Sequence, residues 1–147
     1  MFLNYLIGPA GSGKTTLTKE LIDYITTYND QFTVITLNLD PGVKKLPYTP
    51  DIDVRDYVDI DEIMKKEGFG PNGAMIEATE RLKDVLDDIK FEIDEYNNPD
   101  IVLIDTPGQM ELFAFRQTGP HVASSLGFSG VTRGITFLYD PIMCKKP

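Results

Sequence analysis

The sequence predicts an α/β fold of three layers, with helices on both faces of a mostly parallel sheet. Three observations lead there. Short β-branched runs alternate with longer amphipathic stretches in the order β-α-β-(α-α)-β-α-β, the pattern of strands joined by helical crossovers. The run Ile101-Val102-Leu103-Ile104 is continuously apolar, as in a strand covered on both faces. A glycine-rich turn, Gly8 to Gly13, lies between the first apolar run and the first amphipathic stretch, where open α/β sheets carry their ligand loops.

Each element has its own signal. Phe2 to Ile7 is the first strand. Lys14 to Tyr28 is a helix with Leu17, Leu21, Ile22 and Ile25 on one face. Phe32 to Leu37 is the second strand. Asp40 to Asp53, rich in proline and glycine, is a loop. Asp59 to Lys66 is a short helix with Ile60, Ile63 and Met64 at helical spacing, and Gly68 to Gly73 breaks it. Gly73 to Tyr96 is one long helix whose stripe is Met75, Ile76, Thr79, Leu82, Leu86, Ile89 and Ile93. Ile101 to Ile104 is the third strand. Glu111 to Leu126 is helical, with Pro120 starting a second segment or kinking the first. Gly134 to Tyr139 is the fourth and last strand. No repeat, low-complexity tract or internal boundary interrupts residues 1–147, so they read as one domain.

Composition narrows the function. Fourteen basic residues against 23 acidic ones leave a net charge of −9, a poor basis for direct nucleic-acid binding by counterion release. The acidity reads as solubility. No apolar run is long enough for a membrane span. Met1 to Ile7 lacks the basic region and cleavage site of a signal peptide. The lone Cys144 excludes a disulfide framework and a cysteine metal cluster within the chain, and a reducing, cytoplasmic location is the expectation. A phosphate ligand would have to be held locally, by backbone amides, one or two lysines and a metal.

Gly8-Pro9-Ala10-Gly11-Ser12-Gly13-Lys14-Thr15 matches G-x-x-x-x-G-K-[ST], the Walker A loop, after a strand and before a helix. Its glycines let successive N–H groups, from Gly11, Ser12 and Gly13 to Thr16, turn toward phosphate oxygens, and the helix N-terminus adds its dipole. Lys14 reaches the β- and γ-phosphates as a point charge. Thr15 offers its hydroxyl to Mg²⁺, and Thr16 approaches the α-phosphate. Asp105 ends the apolar strand and is a candidate metal partner, against the simpler reading of a turn or cap. Asp40 ends the second strand and would sit at the same edge, holding metal or orienting water, against the reading of an Asp-Pro turn. Gly108 can bring an N–H to the γ-phosphate. Asp105-Thr106-Pro107-Gly108-Gln109 resembles the switch II segment of GTPases, in which a glutamine positions the attacking water.

Together these residues resemble the GPN-loop GTPases. The decisive segment is Gly68-Phe69-Gly70-Pro71-Asn72-Gly73-Ala74, which carries a Gly-Pro-Asn triplet between the Asp40 and Asp105 segments and directly before a long helix. Asn38-Leu39-Asp40-Pro41 and Asp105-Thr106-Pro107-Gly108-Gln109-Met110-Glu111 also follow the family pattern. Asp40 to Tyr48 and Asp53-Val54-Arg55-Asp56 look more like the archaeal branch than the eukaryotic paralogues. The resemblance implies a P-loop NTPase fold and Mg²⁺-dependent GTP hydrolysis to GDP. It also implies a homodimer in which Gly70-Pro71-Asn72 inserts into the partner's site. In that picture Asn72 acts across the interface like an uncharged arginine finger, and Asp40, Gln109 and Glu111 stand around water and metal. A protein client whose assembly the switch assists is implied too; in eukaryotic relatives it is RNA polymerase.

The chain departs from the family in one respect. The Lys-x-Asp guanine motif on a later strand has no match, and Lys145-Lys146-Pro147 lacks its aspartate. The chain therefore looks truncated after the fourth strand, and guanine preference rests on resemblance alone. Other readings stay open: an ATP-dependent ATPase or small-molecule kinase, or an interaction subunit without turnover. Arg55, Arg81, Arg116 and Arg133 are too scattered for a kinase lid. His121 and Cys144 lack the clustered partners of a metal or nucleophile site, and Lys44 and Lys45 read as solvated.

Overall fold

All strand pairings in the sheet run parallel. The computed structural model describes residues 1–29, 31–114, 116–127 and 132–139. Five strands, β1 (Phe2–Ile7), β2 (Val34–Asn38), β3 (Ile52–Asp53), β4 (Ile101–Asp105) and β5 (Thr132–Phe137), stand in the order β3-β2-β4-β1-β5. The helices are α1 (Lys14–Tyr28), α2 (Ile60–Glu67), α3 (Pro71–Arg81), α4 (Leu86–Glu95), α5 (Met110–Phe113) and α6 (Thr118–Leu126). This is the expected α/β architecture of a parallel sheet flanked by helices.

Strand alternation assigns the two faces. Leu3, Tyr5, Ile35, Leu37, Val102 and Ile104 point to one face and join one core cluster with Ala74, Ala78, Leu82, Leu86, Ile89, Ile93 and Val122 from the helices. Their neighbours Leu6, Thr36 and Leu103, also buried, point to the other face. Helix α1 packs against β1, β2 and β4. Its expected stripe of Leu17, Leu21, Ile22 and Ile25 is only half-buried, and the residues it buries fully are Lys14 and Thr18. The first turn of α1 is thus committed to the loop that precedes it.

Several boundaries differ from the sequence reading, each for a physical reason. Strand β2 starts at Val34 rather than Phe32 because the Phe32 N–H turns back to the Asn29 carbonyl and the Thr33 N–H is taken by the Asp100 carboxylate, so neither joins the ladder. The Asp40–Asp53 stretch ends in a two-residue strand, too short to show a period, whose identity comes from pairing Leu37 with Ile52 and Asn38 with Asp53. The strand expected fourth is consequently fifth in the chain. The helix expected over Gly73–Tyr96 is two helices joined by a 3₁₀ turn, Leu82–Val85, through which the apolar stripe runs unbroken in burial from Leu82 to Ile93. Within α3 the stripe shifts: Ala74, Ala78 and Thr79 are buried, Met75 is half-buried and Ile76 is exposed. Helix α3 begins at Pro71, two residues before the expected start, since proline suits the first helical position. The Glu111–Leu126 stretch is split into α5 and α6. Pro120 lies in the first turn of α6, where its missing N–H breaks no helical bond.

Leu37 is fully buried at the centre of the paired strands. Leu37→Ala should lower unfolding free energy by about 2–5 kcal/mol, read from urea midpoints. Leu17→Ala, on the half-buried face of α1, should cost clearly less.

Candidate functional site

Strand register builds the site's floor. Asp53 pairs with Asn38, Asn38 with Asp105, Asp105 with Leu6, and Leu6 with Thr136. One residue row therefore crosses the sheet near the carboxyl ends of all five strands. The loops that follow leave from a common edge, the place where parallel α/β sheets bind ligands.

The loop after β1 holds its shape through its own backbone. Gly11 and Gly13 adopt φ of 78° and 93°, conformations that favour glycine. The Ser12 N–H donates to the Pro9 carbonyl at 3.2 Å. Gly13 caps α1 without a side-chain hydrogen bond, and no acidic residue stands in the helix's first turn. The positive end of the helix thus carries neither a side-chain cap nor an acid from its own first turn. Lys14, 6% exposed, folds back so that Nζ donates to the carbonyls of Gly8 at 2.8 Å and Pro9 at 3.1 Å. Burial pulls its pKa down, and the charges of Asp105 and Asp40 pull it up. Gly8 leaves no room for a side chain, since a Cβ there would meet the Leu138 carbonyl and Ser12 Oγ.

Asp105 is buried at the end of β4. Burial raises its pKa, while the neighbouring Thr15 hydroxyl, Lys14 and Tyr48 lower it. Tyr48, from the loop after β2, donates its hydroxyl to Asp105 Oδ2 at 3.3 Å, and burial together with Asp105 raises the phenol's pKa. Asp40 accepts the Gly42 N–H on Oδ1 at 2.9 Å and the Gly108 N–H on Oδ2 at 3.2 Å. The Gly108 N–H, expected to face a phosphate, is here committed to Asp40. Gly108 also lies against the phosphate loop, where a Cβ would stand 3.4 Å from Ala10 Cα.

Behind Asp40 lies a polar network that reading the sequence missed. Asn38, fully buried, accepts the Asp40 N–H on Oδ1 at 3.0 Å and donates Nδ2 to Asp53 Oδ1 at 2.9 Å and to the Asp40 carbonyl at 3.3 Å. Arg55 donates Nε to both Asp53 oxygens at 3.0 Å and Nη2 to Oδ2 at 2.5 Å. Its Nη1 donates to the Val43 carbonyl at 3.1 Å. Burial pushes the Asp53 carboxyl up, but the Arg55 guanidinium, the Asn38 amide and the Arg55 N–H together hold it below the usual carboxylate range. The available signal was polarity inside a buried strand: Asn38 interrupts an apolar run that had no other need of an amide.

Three further sequence candidates are exposed side chains. Gln109 precedes α5, exposed, with no capping bond from its side chain. Glu111 is exposed in the first turn of α5. Asn72 is exposed in the first turn of α3, on a tip formed by Gly68–Gly70 and the start of that helix. Lys44, Lys45 and His121 are exposed, while Cys144 and Lys145-Lys146-Pro147 lie outside the described residues.

Two buried polar atoms in the site have no partner among the described residues, Ser12 Oγ and Asp105 Oδ1. A donor-capable hydroxyl in the phosphate loop and an open carboxylate oxygen near Thr15 and Lys14 fit a Mg²⁺–nucleotide. Mg²⁺ is commonly held by one or two carboxylates together with substrate phosphates. Among the described residues no cluster of three or more His, Cys, Asp and Glu is arranged to hold a metal by protein ligands alone.

Comparison with known proteins bears on this geometry. A family described as "Conserved hypothetical ATP binding protein" matches residues 6–147. "GPN-loop GTPase PAB0955" of Pyrococcus abyssi is 45% identical over 96% of this chain and 54% of its own length. "GPN-loop GTPase 1" of Dictyostelium discoideum is 35% identical over 84% of this chain and 31% of its own. A solved structure described as a GTPase in apo form from Pyrococcus abyssi superposes with a TM-score of 0.83 at 43% identity, covering 99% of this chain and 56% of that one. The chain spans about half the length of the Pyrococcus protein.

Two outcomes follow from the site's packing. Tyr48→Phe strips a donor from a buried carboxylate and should cost about 1–3 kcal/mol in urea unfolding. It should also speed proteolysis within residues 41–51. Asp53 is an acid with a lowered folded pKa, so its stabilisation is present above the unfolded value of about 3.9 and lost as pH falls through the lower folded one. The gap in urea midpoint between the wild type and Asp53→Asn should be full near neutral pH and shrink below about pH 4.

Proposed function

The chain belongs to the GPN-loop GTPase family, and from that premise we propose that it hydrolyses GTP to GDP with Mg²⁺, by in-line attack of water on the γ-phosphate. Its sheet and flanking helices are those of the P-loop NTPase fold. The observation that carries the proposal is the edge itself: an uncapped helix N-terminus with Lys14, set beside Asp105 and Asp40 at the ends of adjacent parallel strands.

The chain's residues divide the work. Gly11, Ser12, Gly13 and the α1 amides through Thr16 bind phosphate oxygens. Lys14 exchanges the carbonyls of Gly8 and Pro9 for the β- and γ-phosphates. The Thr15 hydroxyl and Asp105 hold the metal, with Asp40 close by. Bound Mg²⁺ neutralises charge that develops on the phosphate oxygens. Asp40 and Gln109 orient the attacking water, and Gly108 frees its N–H from Asp40 to face the γ-phosphate. Glu111 lies one turn beyond and assists the water or metal. Catalysis here is positioning and electrostatics, as phosphoryl transfer requires.

The exposed Gly68–Asn72 tip supports a homodimer in which Gly70-Pro71-Asn72 enters the partner's site. In this reading residues 1–147 act as a nucleotide-binding domain of archaeal type and drive a switch that assists assembly of a protein client in the cytoplasm. The acidic charge gives no support to a nucleic-acid partner. No helix among the described residues is long and apolar enough to cross a membrane. A second reading, ATP as substrate, is favoured by the matching family's description as an ATP binding protein.

Phosphate release from GTP and from ATP, with and without Mg²⁺ and across protein concentrations, tests the proposal. GTP should turn over, ATP should not, and specific activity should rise with concentration. Lys14→Ala and Asn72→Ala should each slow turnover by about 100-fold or more, the scale for losing one preorganised donor. ATP turnover alone would transfer the reading to an ATPase, and no turnover of either would leave a binding subunit.

A further inference from the structure

Asn38 is a polar residue where the fold asks for an apolar one. It ends a parallel strand covered on both faces, and a buried amide is costly unless its atoms are paired. Both are paired, and with a particular target. Oδ1 takes the N–H of Asp40 and Nδ2 takes its carbonyl, so one side chain grips both backbone polar groups of Asp40. That grip constrains the backbone from which the Asp40 carboxylate projects toward Gly42 and Gly108.

Asp53 and Arg55 make the grip directional. A carboxylate only accepts, so Asp53 Oδ1 fixes which end of the Asn38 amide faces β3 and which faces the Asp40 N–H. Arg55 locks Asp53 through its planar fork, and its remaining arm holds the Val43 carbonyl. The turn from Asp40 to Val43 is therefore clamped at both ends by one connected network.

We propose that Asn38, oriented by Asp53 and Arg55, is a positioning residue that sets the direction of the Asp40 carboxylate, and thereby its hold on Gly108 without nucleotide and on the attacking water during turnover. The hydrolytic part of this rests on the GTPase reading above, while the structural part does not.

The experiment uses the full chain as wild type, Asn38→Ala and Arg55→Lys, with two readouts. The first is amide hydrogen exchange at Gly42 and Gly108 without nucleotide. Asn38→Ala should accelerate both about 10- to 100-fold, the equivalent of one charge-assisted hydrogen bond. Amides of β4 should keep their protection. Arg55→Lys keeps the charge but not the fork, and should produce a smaller acceleration at the same two sites. The second readout is steady-state GTP hydrolysis, in which kcat should fall by about 100-fold while KM moves little.

Unchanged exchange at Gly42 and Gly108 in a folded variant overturns the proposal whatever the activity does. Accelerated exchange with unchanged kcat overturns its catalytic half. If Asn38→Ala fails to fold, Arg55→Lys decides by the same two criteria. Wild-type protein that turns over no GTP sinks the GTPase reading instead, and exchange then decides the positioning claim alone.

Discussion

In-register parallel pairing is the constraint on which the site depends. Four adjacent strands bring Asp53, Asn38, Asp105 and Leu6 to one level, so the segments that leave them must begin side by side. Neither Asp40 nor Asp105 needs a long-range device to find the phosphate loop. Each is delivered by the hydrogen-bond ladder that also makes the core. The row is secured by hydrogen bonds beyond the strands: the Leu39 N–H donates to the Asp105 carbonyl at 2.8 Å, and the Thr106 side-chain hydroxyl Oγ1 donates to the Leu6 carbonyl at 2.7 Å.

Charge explains the rest of the edge. For a chain of net charge −9 to take up the proposed nucleotide, one locality has to be receptive to anions. The chain meets this with an acid-free first turn on α1 and a buried lysine. The lysine is balanced by two carboxylates, which a metal can in turn share. Held this way, Lys14 borrows carbonyls from its own loop, so its charge is stored close to where phosphate oxygens fit. The same economy governs Asp40, whose carboxylate collects the Gly42 and Gly108 amides and joins two loops.

The phosphate loop, Asp105 and the order of long elements were legible because each has a local signature: glycine spacing, an apolar strand ending in Asp, a 3.6-residue stripe. Strand β3 was not, since two residues carry no period and exist as a strand only through β2. The 3₁₀ turn after Arg81 hid because apolar spacing survives it. The Asn38-Asp53-Arg55 network is built across a strand pair fifteen residues apart in sequence, which no local pattern displays. Tyr48 was equally silent: its partner, Asp105, is 57 residues away and meets it only once the loop folds over the sheet edge. Asn72, Gln109 and Glu111 show the opposite case. Motif order alone singled them out, and in the folded chain they are exposed side chains.

The Gly-Pro-Asn tip is less a loop than the end of a lever. Pro71 starts α3, so Asn72 rides on a helix rather than on free backbone. Three residues on, Met75 lies with its methyl group against Gly42, within the turn that Asp40 opens. Residues three apart share a helix side, so tip and pivot lie along one edge of a rod about 16 Å long. Glycine at position 42 is the bearing surface: it has no side chain to hold the rod off. Met75 therefore ties the helix that carries Asn72 directly to the turn that Asp40 opens.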